Sequence, residues 1–541
     1  MALFLLLAAV APSLGLLLAR LITRNSIAQR YRLAECGCVL SIGAAAYALF
    51  LSCCSAPLSD SIEILPLSSL HRAASIGIYL DRPGAIMFAA VALIGFVVIR
   101  FSDRYLNGEP RQTDFLRWLT VLISAVQVLV LSGDLVMFLL AWVAVSAGLH
   151  KLLMFYPDRP GALACARKKF IASRIGDCAV LAALLLIYRT YGTLEFQALF
   201  ERVDALRDTS LIHEQALPLQ VIAFLLGLGA IIKSAQFPFH SWLPDSLETP
   251  TPVSALMHAG IINAGGFFLI RMSPIMQAAP TVNGLIAIIG ALTALYGMSV
   301  MVTQPTIKKR LAYSTVGQMG FMIMQCGLGL YALALLHIVA HAFYKAYAFL
   351  RAGSAMDQAR EQRFFPARTS PSPIIALLLV AVVGVGFFGF AAPPFTMNYV
   401  PVLVAWTIAV LHIFLGAASA RRGRPASLFS AAVMTAAMVG IYSLLSVAFS
   451  RHLATTLPPP SAAPLWAGMA SSAILIFGFV IQFAGASLVS SPSGQKLFIH
   501  LHNGFYIGAY ADRLVNRMWP SSRAASTEGA SPDDAHRGAA C

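Results

Sequence analysis

The sequence predicts an all-α polytopic membrane protein with about fifteen transmembrane helices. Three observations carry that reading. Of 541 residues, 58% are hydrophobic and only 11% charged, against about 25% charged in an ordinary soluble domain. The mean hydropathy of +0.75 is too high for one water-soluble core. The apolar residues also fall in runs of about the ~20 residues that a helix needs to cross a bilayer. A soluble enzyme, a nucleic-acid binder and a disordered scaffold are thereby excluded. The formal charge of +15 would suggest nucleic acid in a soluble protein; in a membrane protein it is read as loop asymmetry.

In chain order the runs cover residues 2–20, 33–56, 78–99, 116–132, 134–152, 168–188, 217–236, 250–271, 283–303, 311–329, 331–350, 373–393, 397–418, 427–449 and 464–487. The first lacks a basic leader and an A-x-A-like site, so it reads as a retained span rather than a signal peptide. Tight turns at Ser132-Gly133-Asp134 and Gly327-Leu328-Gly329 separate two pairs of runs. Residues 189–216 read as an acidic, polar loop. From His500 to Trp519 aromatic, apolar and basic residues mix, the pattern of an amphipathic helix lying on a membrane or a partner. Residues 521–541 are rich in Ser, Ala, Gly and Asp and are expected to be disordered.

Lysine and arginine set the orientation. With the N-terminus outside, 28 of the 38 basic residues fall in inside loops and the tail, seven fall outside, and Arg174, Lys233 and Lys345 remain within spans. The asymmetry predicts a periplasmic N-terminus, a cytoplasmic C-terminus and an odd number of spans in a bacterial inner membrane. Most of the eight cysteines lie in apolar segments, where cysteine behaves as a small hydrophobe. Cys36-x-Cys38 has no nearby Cys or His partners, so neither a metal site nor a disulfide framework is argued.

An ionisable group in a span costs at least ~2.5–3.5 kcal/mol on insertion scales and is a functional candidate. Lys233 follows the apolar run 223–232, and Pro238 five residues later should break the helix. The competing reading is a helix-end lysine reaching interfacial water. His258 follows Glu248-Thr-Pro-Thr-Pro252, whose two prolines suggest an interrupted entry. Glu248 could balance Lys233 or His258, or be an ordinary interfacial glutamate. His337-x-x-x-His341-x-x-x-Lys345 puts three protonatable groups on one helical stripe, each about 6 Å further along the axis. Neutral imidazole both donates and accepts, as proton hopping requires. A metal would need a third ligand at that level; plain packing polarity is the other reading. Arg174 and Asp177, three apart, form a candidate self-neutralising pair. Asp134, His150 and Lys151 lie near span ends. No phosphate-binding glycine loop and no haem or iron–sulfur ligand set is visible, so ATP hydrolysis by this chain is not expected, any energy coupling is expected to run on an ion gradient, and no catalytic chemistry is expected here.

The stretch Lys233-Ser-Ala-Gln-Phe-Pro-Phe-His-Ser-Trp-Leu-Pro-Asp-Ser-Leu-Glu-Thr-Pro-Thr-Pro-Val-Ser-Ala-Leu-Met-His258 resembles the antiporter-like family. That family includes the large membrane subunits of respiratory complex I and of multisubunit Na⁺/H⁺ antiporters. Arg174-Ile-Gly-Asp177, 308–320 and 337–345 also match its pattern. The resemblance covers roughly 80–390. It implies two inverted five-helix repeats with interrupted helices, a first half-channel over 111–275 and a second over 276–425. Helices 1–3 would occupy 1–110, helices 14–15 residues 426–490, and a cytoplasmic amphipathic segment 491–520. By the same resemblance Lys233 would be the central proton-binding lysine, His258 would link the halves, and His337, His341 and Lys345 would belong to the hydrophilic axis.

Two departures from the family pattern stand out. Trp142 is followed by Val143 where the family has glutamate, and Gly384–Phe395 lacks the family's second-half lysine. The variant at 248–266 is most similar to the membrane subunits of two-component DAB inorganic-carbon pumps. That implies a DabA-like soluble partner, similar to a zinc-dependent β-carbonic anhydrase, on the cytoplasmic face, with the zinc in the partner and no cofactor in this chain. The alternative functions are a proton-translocating subunit of a respiratory NADH–quinone oxidoreductase or membrane hydrogenase, and a non-conducting membrane anchor.

Overall fold

The computed structural model describes residues 1–22, 26–65, 74–207, 216–353, 397–419, 425–459, 463–488 and 491–519. Its helices, in order, are α1 (Ala2–Ile22), α2 (Ile27–Cys54), α3 (Arg82–Tyr105), α4 (Gln112–Leu131), α5 (Leu135–Leu153), α6 (Pro160–Tyr191), α7 (Phe196–Arg207), α8 (Ala216–Lys233), α9 (Thr251–Ala259), α10 (Ala264–Arg271), α11 (Ser273–Gln277), α12 (Pro280–Thr303), α13 (Ile307–Gly327) and α14 (Tyr331–Leu350). After 396 come α15 (Val400–Ser419), α16 (Pro425–Leu453), α17 (Leu465–Leu488), α18 (Pro492–His502) and α19 (Ile507–Met518). Among the described residues ten helical stretches are long and apolar enough to cross a membrane, and three shorter apolar helices accompany them. Leu140, Leu185, Leu217 and Leu444 are each more than 60% exposed on helix flanks. Lipid, not water, suits such surfaces. The all-α multi-pass fold is as expected; the run at 373–393, the stretch Gly384–Phe395 and the tail 521–541 lie outside the described residues.

Several boundaries differ from the hydropathy reading, each for a local reason. The run at 78–99 begins in a β-strand. Strands β1 (Leu58–Leu65) and β2 (Ala74–Leu80) pair antiparallel, Leu58 opposite Leu80. The helix starts only where Asp81 caps it, accepting from the Gly84 amide at 2.7 Å, with Pro83 in the first turn. The same Asp81 carboxylate meets Arg271 at 3.0 Å, both side chains almost fully buried. The run at 168–188 is the middle of the longer α6, which begins with Pro160 and stops at Gly192 in the left-handed region (φ 62°). Lys168 and Lys169, assigned by the charge count to a loop, are therefore helical and buried. The loop 189–216 contains α7, whose Phe196, Leu199 and Val203 are buried. The amphipathic segment is two helices, bent where Phe505 and Tyr506 take positive φ.

Very tight packing joins α12 to α13. A Cβ on Gly290 would stand 2.4 Å from the Met324 amide nitrogen, and one on Gly320 would stand 2.5 Å from that of Ala294. Only glycine permits backbones so close.

Candidate functional site

Two lysines are held in the helical body by the same local device. α8 ends at Lys233; its chain then turns through Ala235 (φ 48°), and no helix resumes before the short turn at Ser246–Glu248. The Lys233 ammonium donates to the Trp142 carbonyl at 2.9 Å and the Ser146 hydroxyl at 3.0 Å, both on α5. It also lies 4.2 Å from the centroid of the Trp142 ring, a cation–π distance. In the second centre, Lys345 of α14 donates to the Leu311 carbonyl at 2.9 Å and the Ser314 hydroxyl at 2.8 Å on α13. Lys345 has no exposed surface. Each amine thus meets a backbone carbonyl and a serine hydroxyl about one turn along the facing helix. These neutral acceptors hold the amine without cancelling its charge.

Lys233 borders a small cleft, also lined by Trp142, Ser146, Lys169, Ser173 and Asp177. Asp177 pairs with Arg174 at 2.5 Å. Both therefore belong to the surroundings of Lys233, where their charges act on it. Lys169 is a member of this cleft that composition and charge counting missed. Its amine donates to the Ser146 carbonyl at 2.5 Å. A sequence signal was present: Lys169, Ser173 and Asp177 are spaced by four, the spacing of the histidine stripe, and fall on one face.

His337 and His341 stack at 6.1 Å between centroids, and His258 stacks on Phe349 at 4.3 Å. His341 is close enough to feel charge on His337, Lys345 and His258. α9 and α10, which together form one wholly buried span broken at Gly260, place His258 there. Among the described residues no third Cys, His, Asp or Glu joins His337 and His341 in a metal-binding group.

Glu248 lies elsewhere. Its carboxylate accepts from the Ala162 amide at 2.7 Å, at the N-terminus of α6, and not from Lys233 or His258. That amide is one of the helix's unpaired donors, and the helix dipole favours an anion there. Asp134 caps α5 by accepting from Val136 and Met137, each at 2.8 Å.

Residues 491–519 are docked on the chain itself. Tyr296 donates to the Gly504 carbonyl at 2.9 Å and Gln304 to the His502 carbonyl at 3.0 Å. Lys168 pairs with both Asp245 and Asp512. Arg167 donates to the Trp519 carbonyl at 3.0 Å. Tyr510, Leu514 and Met518 stay more than half exposed.

Residues 132–420 match the family described as "NADH:quinone oxidoreductase/Mrp antiporter, TM", and residues 67–116 match "NADH-Ubiquinone oxidoreductase (complex I), chain 5 N-terminus". The chain belongs to this antiporter-like family. Within the family it is 40% identical to the probable inorganic carbon transporter subunit DabB2 of Halothiobacillus neapolitanus, over 80% of this chain and 79% of that one. It is 34% identical to the probable inorganic carbon transporter subunit DabB of Hydrogenovibrio crunogenus, over 81% and 82%. To the NAD(P)H-quinone oxidoreductase chain 5 of a Synechocystis species it is 36% identical, over 55% and 43%. Among solved structures, the Mrp complex from a Dietzia species matches with a TM-score of 0.57 at 21% identity, over 97% of this chain and 58% of that one. An archaeal membrane-bound sulfane sulfur reductase matches with a TM-score of 0.55 at 19% identity, over 88% and 75%. At such identities the two structures speak for the antiporter-like fold alone.

Proposed function

We propose that this antiporter-like chain is the proton-conducting subunit that energises inorganic-carbon accumulation by a cytoplasmic partner. The carrying observation is Lys233: an amine at the end of a broken apolar helix, clamped by neutral acceptors beside a cleft. A lysine so placed can bind and release a proton without breaking a strong ion pair. The choice of carbon over quinone chemistry rests on coverage. The alignment spans 79% of the DabB2 relative but 43% of the quinone-reductase one. In this reading the partner is a DabA-like, zinc-dependent β-carbonic-anhydrase-like subunit, the zinc belongs to that partner, and the chain sits in a bacterial inner membrane with its C-terminus in the cytoplasm.

Co-expression with the candidate partner in a carbonic-anhydrase-deficient host tests this. Growth in ambient air is expected from the wild-type pair and its loss from Lys233→Ala at equal membrane abundance. Equal growth of the two would reject Lys233 as a required carrier. No growth of either, with activity instead found alongside redox subunits, would favour the respiratory reading.

A further inference from the structure

Lys169 is 4% exposed and lies in the interior of α6. Its amine donates to the Ser146 carbonyl, while the Ser146 hydroxyl takes a hydrogen bond from Lys233 at 3.0 Å. One serine of α5 therefore holds two lysines, one from α6 and one from α8. Both line the same cleft.

An independent observation comes from the other half of the molecule. In α13–α14, the lysine of the later helix, Lys345, donates into the backbone of the preceding helix beside a serine. In α5–α6, the lysine of the later helix is Lys169, and it too donates into the preceding helix at a serine. By helix order Lys169 corresponds to Lys345, whereas Lys233 shares with Lys345 the clamp of a carbonyl and a serine hydroxyl.

The charges around the pair are unequal. α5 has no acidic residue, since Val143 follows Trp142. The titratable groups acting on Lys169 from its own and facing helices are Lys233, Asp177, Arg174 and Cys165, with His150 across from it on α5. The one carboxylate among them, Asp177, is engaged by Arg174. Two protonated lysines around one serine would thus stand without a free counter-ion, and buried like charges disfavour one another.

We propose that Lys169 is a second proton-binding residue of this cleft, coupled to Lys233 across Ser146 so that a proton taken up by one lysine displaces the proton of the other. A proton binding the neutral amine of one lysine makes it an ammonium. The other ammonium then releases its proton to water in the cleft and becomes a neutral amine. One proton enters, one leaves, and no charge accumulates. The inference rests on the proton-conducting reading, and two measurements separate their fates.

The first is proton flux into proteoliposomes holding the full chain with its partner, followed by a lumenal pH dye under an imposed membrane potential. The second needs no transport. Reductive methylation with formaldehyde and cyanoborohydride labels neutral amines only, and mass spectrometry reads the label at Lys233. Lys169→Gln is expected to cut flux about tenfold and to slow labelling of Lys233 about tenfold at fixed pH, because removing a like charge lets Lys233 hold its proton more tightly; tenfold corresponds to one pH unit. Lys169→Arg fixes the charge at this position, since a guanidinium does not release its proton, and is expected to label Lys233 at least as fast as the wild type. Unchanged labelling in Lys169→Gln overturns the inference even if flux falls, because flux alone would then report a structural loss. Unchanged flux overturns it as well. Absent wild-type flux with slowed labelling would reject the conducting function and leave the lysine coupling standing.

Discussion

The lysine centres of the first and second halves share a clamp and differ in its surroundings. Around Lys233 there is a cleft, an indole face and a carboxylate, Asp177, paired with Arg174. Lys345 is fully enclosed, and its neighbours His258 and His341 bring imidazoles in place of a carboxylate, with His337 stacked beyond His341. None of α9, α10, α13 and α14 carries an acidic residue. A backbone carbonyl with a serine hydroxyl is thus enough to seat an amine deep among helices, and the counter-charge is an addition made in one half. The amine of the first centre borders a cleft, whereas that of the second is enclosed among side chains.

Lys345→Ala puts the largest strain on this comparison. It leaves the Leu311 carbonyl and Ser314 hydroxyl without their donor and opens a cavity, at a cost of about 2–5 kcal/mol. Carbon uptake should vanish and the thermal midpoint of the detergent-solubilised chain should fall. Lys345→Met should restore most of the midpoint and none of the uptake; restored uptake would make Lys345 a packing residue. Asp81→Ala, in a buried ion pair outside both lysine clamps, should destabilise by about 3–5 kcal/mol because it strands Arg271. A midpoint shift as small as that of a surface substitution would contradict this. His337→Ala and His341→Ala should each lower uptake several-fold at unchanged abundance. Normal uptake in the double variant would reduce the histidine stripe to packing and erase the contrast between the halves. The smallest effect is expected at the C-terminus. Truncation after 520 should leave co-purification with the partner intact, and truncation after 495 should weaken it.

Much of the fold was legible because a span is a composition. Twenty apolar residues have few other uses, so runs such as 331–350 agree with their helix end to end. Where an end depends on a cap or a turn, hydropathy was blind. Ile78 and Leu80 are as apolar as any helix residue but belong to a strand, since the backbone pairing of β2 with β1 is invisible to hydropathy. The stripe 337–345 was legible because histidines in an apolar run stand out. Lys169 was not, because it follows Arg167 and Lys168 and was counted with them as loop charge; only its phase with Ser173 and Asp177 separates it from them. Glu248 shows the reverse case. It sits next to a site motif in sequence, yet its carboxylate serves a helix end that starts 88 residues earlier.

The docked C-terminal segment has a consequence for the order in which the molecule is completed. Chains emerge from the ribosome N-terminus first. Arg167 meets a residue 352 positions later, and Tyr296 one that is 208 positions later. Of the two carboxylates that pair with Lys168 among the described residues, Asp245 is made long before Asp512. The segment 491–519 thus closes over α6 and α12 like a clasp. A nascent chain that lacks it has its helical body but not its fastening.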